Sequence, residues 1–177
     1  MQSLITQAQN IKLLIADLDG VLTDGRFFLN GDGDYALMAF HNHDGIGIRL
    51  LQSSGVVFAV ITGSRHTIIE QRMQSLGVEH LYQGYIDKQS PYTQLKQQLQ
   101  LPANQIAYIG DDIADLPIMR QVGLSIAVAN ATPLIRDLAD WQTTQAGGFG
   151  AVREACDLIL QSQNTLTQAI TDYLASQ

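Results

Sequence analysis

The stretch KLLIADLDGVLTDG, residues 12–25, joins an apolar run to a loop rich in aspartate and glycine. Residues 12–18 have the length and composition of a buried β-strand, and Gly20 allows the chain to turn after it. A second stretch, IAYIGDDIADLP at residues 106–117, follows the same plan, with its apolar run at residues 106–109. Because the carboxyl ends of strands in an open α/β sheet meet in one crevice, we expect the two acidic loops to face each other there.

The rest of the chain alternates short apolar runs with helix-length amphipathic stretches. The further predicted strands are residues 26–29, 35–40, 56–61, 124–128 and 141–144. The predicted helices are residues 45–54, 64–76, 89–99, 113–122, 133–138, 152–161 and 165–175. The first two of these strands flank the turn sequence NGDGD, which is typical of a β-hairpin. The alternation predicts an α/β fold with a doubly wound, mostly parallel sheet that helices cover on both faces.

Length and composition limit the class of protein. The 177 residues are 46% hydrophobic and 15% charged, which suits one globular domain, residues 1–177, with a sizeable core. The formal net charge of -7 argues against broad nucleic-acid binding, which needs a basic face. No apolar run approaches the roughly 20 residues of a membrane span. We therefore expect neither a nucleic acid nor a membrane as a partner.

Cysteine content and the first residues both favour the cytoplasm. Cys156 is the only cysteine, so no intrachain disulfide can form, and a reducing compartment fits. The opening segment MQSLITQAQN lacks the basic region followed by an apolar region that typifies a secretory signal. We therefore expect a cytoplasmic protein.

The clustered carboxylates indicate metal-dependent phosphoryl chemistry. Several carboxylates in one crevice repel each other, and a divalent cation such as Mg²⁺ relieves this repulsion while keeping waters for a phosphate. Asp17 follows its strand and can attack phosphorus as a nucleophile. Asp19 can protonate the leaving oxygen and later activate water. The alternative is that both residues only form a turn, in which Asp and Gly are common.

The second acidic loop supplies a candidate metal ligand. Asp111 comes directly after the apolar run at residues 106–109 and is positioned to bind the cation. Asp112 and Asp115 have two interpretations of equal weight. Either they orient the ligands or Lys88, or they stabilise the N-terminus of a helix.

Two further polar signals are weaker. Thr62 and Gly63 follow the strand at residues 56–61, so the Thr62 hydroxyl and the N–H groups of the turn can hold phosphoryl oxygens. Thr62 also suits a helix N-cap, which alone is the favoured interpretation. Lys88 can neutralise the phosphoryl group and the nucleophile, although an isolated lysine is usually a solvated surface residue.

These four motifs together resemble those of the haloacid dehalogenase superfamily. Within it, the chain is similar to the small 3-deoxy-D-manno-octulosonate 8-phosphate (KDO 8-phosphate) phosphatases over nearly its whole length. The segments that carry this resemblance are LTDG, FHNHDGIGIRLL, LYQG, AYIGDDIADLPIM and GGFGAVREACDLIL. The resemblance implies a Rossmann-like fold with a small β-hairpin insertion, about residues 25–41, and no large cap domain. It also implies a Mg²⁺-dependent enzyme that releases phosphate from a sugar-acid phosphate in lipopolysaccharide synthesis, as a homotetramer whose subunits complete each other's active sites.

The resemblance implies roles for the matching positions. Asp17 resembles the nucleophile and a metal ligand, Asp19 the acid/base that also offers its backbone carbonyl to Mg²⁺, and Asp111 the carboxylate metal ligand. The residues that resemble phosphoryl-binding or substrate-binding groups are Thr62, Gly63, Lys88, Asp44, Gly45, Arg65 and Arg153. Those that resemble a glycine-rich stretch approaching a neighbouring site are Gly147, Gly148, Gly150 and Arg153. Many members have an arginine directly after the second-motif glycine, where this chain has Ser64 and then Arg65.

Three other functions stay open at this stage. The first is a phosphatase of a nine-carbon sugar acid or of sugar phosphates in general, since the motifs fix the reaction and the surrounding contacts choose the substrate. The second is a signalling receiver domain, although the second acid of the DLD motif has no task in a switch that keeps its phosphate. The third is a catalytically silent interaction module, which the intact set of Asp, Thr and Lys residues disfavours.

Overall fold

A parallel sheet flanked by helices forms the centre of the protein. The computed structural model describes residues 2–29, 31 and 35–175. Its strands are β1 Leu13–Ala16, β2 Phe28–Leu29, β3 Tyr35–Leu37, β4 Val57–Thr62, β5 His80–Gln83, β6 Ile106–Gly110, β7 Leu124–Ala127 and β8 Trp141–Gln142. Its helices are α1 Gln2–Gln9, α2 Asn42–Ser53, α3 Thr67–Ser75, α4 Gln89–Gln98, α5 Leu116–Met119, α6 Pro133–Leu138, α7 Ala151–Ser162 and α8 Leu166–Ala175.

The order of the strands places the predicted motifs at one edge of the sheet. The six strands stand in the order β5-β4-β1-β6-β7-β8, and neighbouring strands are parallel. Ala16 of β1 pairs with Val60 of β4 and with Ile109 of β6. The chain therefore leaves these three strands at nearly the same level. This is the carboxyl edge beside the central strand, where ligands bind in open α/β sheets.

Burial explains why the central strands have continuous apolar sequences. All four residues of β1 are fully buried, and so are most residues of β4, β6 and β7. Strands that helices cover on both faces have no polar side to expose. The predicted fold class, a doubly wound and mostly parallel α/β sheet, is confirmed.

The β-hairpin insertion is present as a separate two-stranded sheet. Strands β2 and β3 pair antiparallel, with Phe28 opposite Leu37. The predicted turn NGDGD lies outside the described residues except for Gly31. The two strands are shorter than the predicted runs at residues 26–29 and 35–40, since an isolated hairpin of this kind has few partners for its backbone.

Two predicted helices need correction. The helix predicted for residues 64–76 begins only at Thr67, because the Nδ1 atom of His66 accepts the Ile68 N–H (3.1 Å) and caps the helix there. The helix predicted for residues 113–122 is reduced to α5. The Asp115 carboxylate accepts hydrogen bonds from the backbone N–H groups of Asp111 and Asp112, which keeps the residues before α5 in a loop.

Two elements were not predicted from the sequence. Helix α1 is mostly polar, although Ala8 within it and Ile11 just after it are fully buried. Strand β5 lies at the edge of the sheet, and all four of its residues are half-buried, which removes the apolar signal of a central strand. Within the described part of the chain, no helix has the length and apolar character needed to cross a bilayer.

Candidate active site

The loop after β1 is held in a fixed shape by its own backbone. The carbonyl oxygen of Leu18 accepts the N–H groups of Val21, Leu22 and Thr23 at 3.3, 2.9 and 3.0 Å. Gly20 has φ +86°, in the region that favours glycine. A Cβ atom at Gly20 would overlap the carboxylate of Asp111. The glycine therefore lets the two acidic loops approach each other.

Lys88 joins the two acidic loops through ion pairs. Its Nζ atom lies 2.6 Å from Asp17 Oδ1 and 2.7 Å from Asp115 Oδ1. The whole Lys88 residue is only 5% exposed, so the interpretation as a solvated surface lysine is excluded. The lysine is instead the counter-charge of two buried carboxylates.

Asp115 is fully buried, and its hydrogen bonds account for all of its oxygen lone pairs. Its Oδ1 accepts from Lys88 and from the hydroxyl of Tyr108 (2.6 Å). Its Oδ2 accepts the N–H groups of Asp111 (2.9 Å) and Asp112 (3.3 Å). A carboxylate with four donors has little capacity left for a cation. Asp115 therefore orients Lys88 and the Asp111 backbone, as one of the two interpretations from sequence predicted.

The geometry fits a divalent cation between Asp17 and Asp111. Each offers a carboxylate oxygen within 4.8 Å of the other and of Asp115, and the donor set is the oxygen type that Mg²⁺ prefers. The carboxylate of Asp19 is not part of this set among the described residues. That Asp19 offers its backbone carbonyl to the cation stays a prediction.

The pKa shifts of the acidic side chains also favour a bound cation. Burial and, after it, the charge of Asp115 raise the pKa of Asp17, Lys88 opposes them, and the resulting pKa is about 8. Burial and Asp115 likewise raise the pKa of Asp111 to about 7. For Lys88, burial acts to lower the pKa, but the two neighbouring carboxylates outweigh it and raise the pKa, so the ammonium keeps its charge. The cluster has more negative than positive charge, and a bound cation would restore the balance.

The turn after β4 presents a hydroxyl to the same edge. Thr62 is fully buried, and its Oγ1 accepts the Ser64 N–H at 3.0 Å. Within the described part of the chain, the Thr62 hydroxyl donates its proton to no acceptor, so it is available to a phosphoryl oxygen. The N-cap interpretation is wrong, because His66 is the N-cap of α3. A Cβ atom at Gly63 would have Tyr85 O as its nearest neighbour, at 4.0 Å, which leaves this side of the turn open.

Asp44 and Gly45, which the resemblance places near the substrate, serve the packing of helices here. Asp44 is 1% exposed, and its Oδ1 accepts the backbone N–H of Arg153 (2.7 Å) at the start of α7. Burial raises the pKa of Asp44. A Cβ atom at Gly45 would lie 2.8 Å from an Arg72 guanidinium nitrogen. Asp44 therefore links α2 to α7, and the substrate contacts expected of Asp44 and Gly45 stay predictions.

Two arginines also lie apart from the acidic cluster. Arg65 is exposed, and its side chain packs against Gly84 in a surface pocket that Tyr82 and Gln83 of β5 also line. The Nε atom of Arg153 donates to both oxygens of Asp157 at 2.9 and 2.8 Å. Among the described residues, neither guanidinium forms an ion pair with a carboxylate of the acidic cluster, and the substrate contacts expected of both arginines stay predictions.

The Asp112 side chain interacts within its own loop. Its carboxylate is exposed, and Oδ1 accepts the N–H of the next residue, Ile113, at 2.7 Å. It does not contact Lys88. The side chain stabilises the local loop, which is close to the second interpretation from sequence.

The glycine-rich stretch contacts the first acidic loop of its own chain. The Gly148 N–H donates to Val21 O at 2.9 Å, and a Cβ atom at Gly147 would overlap the Gly20 carbonyl. Asn130 connects the two segments, because its Oδ1 accepts the Gly147 N–H at 2.6 Å. The stretch therefore supports the loop that carries Asp17 and Asp19. An approach to a neighbouring subunit stays a prediction.

Three residues at the site were not identified from sequence: Tyr108, Ser64 and Asn130. Tyr108 lies inside an apolar strand and resembles a core residue. Asn130 stands in a loop that no motif marks, and Ser64 lies next to a motif without being part of it. The available signal was position, since Tyr108 is three residues before Asp111 and Ser64 directly follows the ITG motif.

Comparison with known proteins identifies the class. A family model described as haloacid dehalogenase-like hydrolase matches residues 78–155. A haloacid dehalogenase superfamily (subfamily III A) hydrolase from Legionella pneumophila has a TM-score of 0.96 and 47% identity, covering 99% of this chain and 96% of that one. The fold and the acidic cluster with its lysine thus define a haloacid dehalogenase-like hydrolase.

Two relatives narrow the assignment. A 3-deoxy-D-manno-octulosonate 8-phosphate phosphatase of Yersinia pestis is 50% identical over 165 residues, which are 93% of this chain and 88% of the relative. The enzyme of that name from Moraxella catarrhalis, solved with a magnesium ion, a phosphate ion and a KDO molecule, has a TM-score of 0.93 and 38% identity. That match covers 98% of this chain and 99% of the relative. The chain belongs to the 3-deoxy-D-manno-octulosonate 8-phosphate phosphatase family.

The role of Tyr108 is testable through stability. Burial raises the pKa of Tyr108 well above its usual value, so its hydroxyl stays protonated and donates to Asp115. We expect Tyr108→Phe to lower the free energy of unfolding by about 1.5–3 kcal/mol, the typical value of a hydrogen bond to a charged group. The measurement is urea denaturation followed by circular dichroism.

Tyr92→Phe is the matched control for this experiment. Tyr92 is equally buried, but its hydroxyl has no hydrogen-bond partner among the described residues. Its removal is expected to leave stability unchanged or slightly higher. Equal losses in the two variants would contradict the role of Tyr108.

Proposed function

We propose that this chain is a Mg²⁺-dependent phosphomonoesterase that hydrolyses 3-deoxy-D-manno-octulosonate 8-phosphate to the free sugar acid and inorganic phosphate. The observation that carries the proposal is the pair Asp17 and Asp111, whose carboxylate oxygens lie within 4.8 Å of each other beside the Lys88 ammonium. The Yersinia pestis relative supports the reaction, and the Moraxella catarrhalis structure supports the cation and the sugar acid. The resemblance implies a place in lipopolysaccharide synthesis.

The first step transfers the phosphoryl group to the protein. When bound between Asp17 and Asp111, Mg²⁺ supplies positive charge that neutralises the phosphate. Lys88 holds Oδ1 of Asp17, which fixes the side chain so that the carboxylate attacks phosphorus in line. The bond between phosphorus and the sugar oxygen breaks as the bond to Asp17 forms. Asp19 gives its proton to the departing oxygen, and the Thr62 hydroxyl donates to a phosphoryl oxygen.

The second step releases phosphate. Asp19, now ionised, takes a proton from a water molecule as the water oxygen attacks phosphorus. The bond between phosphorus and the Asp17 oxygen breaks, which restores the Asp17 carboxylate and leaves Asp19 protonated for the next cycle. Catalysis by this route depends mostly on positioning and electrostatics, which the fixed contacts of Lys88 and Asp115 supply.

Asp17→Asn tests the reaction. The variant keeps the shape of the side chain but removes the nucleophile, so phosphate release should fall by roughly a thousandfold or more while the far-ultraviolet circular dichroism spectrum is retained. The assay follows phosphate release from eight-carbon and nine-carbon sugar-acid phosphates with Mg²⁺ present. The eight-carbon substrate is expected to have the higher kcat/KM.

Asp112→Asn is the control, because this exposed carboxylate contacts only its own loop. It should keep most of the activity. Substantial turnover by the Asp17→Asn variant would refute the assignment of Asp17 as the nucleophile. A preference for the nine-carbon compound would refute the assignment of the eight-carbon sugar-acid phosphate as the substrate. One turnover followed by a stable phosphoprotein would favour a receiver-type switch.

We also propose a homotetramer with shared active sites. The hairpin carries large apolar side chains that are about half exposed or more: Phe27 51%, Phe28 47%, Leu29 59% and Leu37 67%. Several large apolar side chains exposed on one small hairpin favour an interface. Because the described residues form no large cap, a hairpin from another subunit is the element that we expect to cover the site.

The tetramer is tested with Phe28→Ser and Leu37→Ser together. Polar residues there should disfavour burial of the hairpin, so light scattering at micromolar concentration should detect smaller species with reduced activity. Leu138→Ser is the control, since Leu138 on α6 is 48% exposed and lies outside the hairpin. A wild-type protein that is monomeric and fully active would contradict the proposal.

We place the enzyme in the cytoplasm, where its one cysteine, the buried Cys156, would stay reduced. Separation of cytoplasmic and periplasmic fractions of the source cells, followed by detection of the protein, would test this location. Recovery in the periplasmic fraction would contradict it.

A further inference from the structure

Ser64 makes a short hydrogen bond to the candidate acid/base. Its Oγ atom donates to Asp19 Oδ2 at 2.5 Å, across 45 positions of sequence. Asp19 lies in the loop after β1, and Ser64 lies in the loop after β4. The bond therefore joins the ends of two neighbouring strands at the carboxyl edge of the sheet.

The backbone of Ser64 is fixed on both sides of this contact. Its N–H donates to Thr62 Oγ1 at 3.0 Å, and its carbonyl oxygen accepts the Gly84 N–H at 3.0 Å. The hydroxyl is thus held in place before any ligand arrives. Preorganised donors of this kind lose little entropy when the reaction begins.

The Asp19 carboxylate stands apart from the other acidic side chains of the site. It is outside the group formed by Asp17, Asp111 and Asp115, and Lys88 contacts the carboxylates of Asp17 and Asp115 instead. Among the described residues, Ser64 is the side chain that hydrogen-bonds to Asp19. The orientation of the Asp19 carboxylate therefore depends on this one hydroxyl.

We propose that Ser64 is a positioning residue that holds the Asp19 carboxylate for proton transfer to the leaving oxygen. This inference rests on the proposed phosphatase reaction. Ser64 keeps donating to Oδ2 in both steps, while Oδ1 carries the proton that passes to the sugar oxygen and later receives the proton of water. The proton on Ser64 is not transferred, so the reaction needs no further reactant.

The proposal predicts an effect that depends on the leaving group. The quantity kcat/KM reports the first step, in which a sugar alkoxide needs a proton and a p-nitrophenolate does not. We expect Ser64→Ala to lower kcat/KM about tenfold for the sugar-acid phosphate and less than about threefold for p-nitrophenyl phosphate. The two substrates are assayed with the same Mg²⁺-loaded enzyme.

Shape-matched variants keep the test independent of folding. Ser64→Thr retains the hydroxyl and should keep most of the wild-type activity. Ser64→Val has nearly the shape of threonine but no hydroxyl, so it should behave like Ser64→Ala. Ser75→Ala is the matched control. The Ser75 hydroxyl donates only to Arg72 O at 2.7 Å, at the end of α3, and its removal should leave both substrates unaffected.

A double-mutant cycle with Asp19→Asn tests whether Ser64 acts through Asp19. In the Asp19→Asn background, Ser64→Ala should cause no further loss of kcat/KM for the sugar-acid phosphate. Equal losses on the two substrates, or an undiminished loss in that background, would overturn the inference while leaving the phosphatase intact. A wild-type enzyme inactive on both substrates would instead overturn the proposed function and the inference with it.

Discussion

The structure depends on one buried ammonium placed among three carboxylates. Lys88 bonds Asp17 and Asp115, while Asp111 stands on the same edge without a positive partner of its own among the described residues. Removing charges from water costs free energy that only close pairing and additional hydrogen bonds can offset. Asp115 obtains that compensation from Tyr108 and from two backbone N–H groups. Asp17 shares Lys88 with Asp115, and Asp111 forms no ion pair among the described residues, so the negative charge that remains makes the site suitable for a cation.

The surrounding loops hold these charged side chains close together. Gly20 lets the Asp111 carboxylate lie against the backbone of the first acidic loop, and the glycine-rich stretch at residues 147–150 supports that loop from the other side. Asn130 ties the two segments. The site is thus rigid where charge must be held, whereas the exposed hairpin carries the apolar surface that we assign to assembly.

Sequence reasoning found the parts of the site that follow from strand register. Asp17, Thr62 and Asp111 each leave a buried parallel strand, so their convergence follows from the topology of the sheet. Sequence reasoning did not find the features that depend on tertiary contacts. The loop around Asp115 replaced part of a predicted helix, and the link that Asp44 makes between two helices was not predicted. Tyr108 and Ser64 stand close to motif residues in the sequence, but their roles come from side-chain contacts with Asp115 and Asp19 that only the folded chain brings about.

The most direct test is the effect of Mg²⁺ on thermal unfolding of the wild type and of Asp111→Asn at about pH 6 and about pH 8.5. The pKa values of Asp17 and Asp111, about 8 and about 7 in the folded protein, exceed the ordinary 3.8, so stability without metal should fall as pH rises through this range. In the wild type, Mg²⁺ should raise the melting temperature more at the higher pH, where fewer protons compete for the carboxylates. In Asp111→Asn, the loss of stability with pH should be smaller and the Mg²⁺ effect should largely disappear. A Mg²⁺ effect of equal size in both proteins would contradict the account.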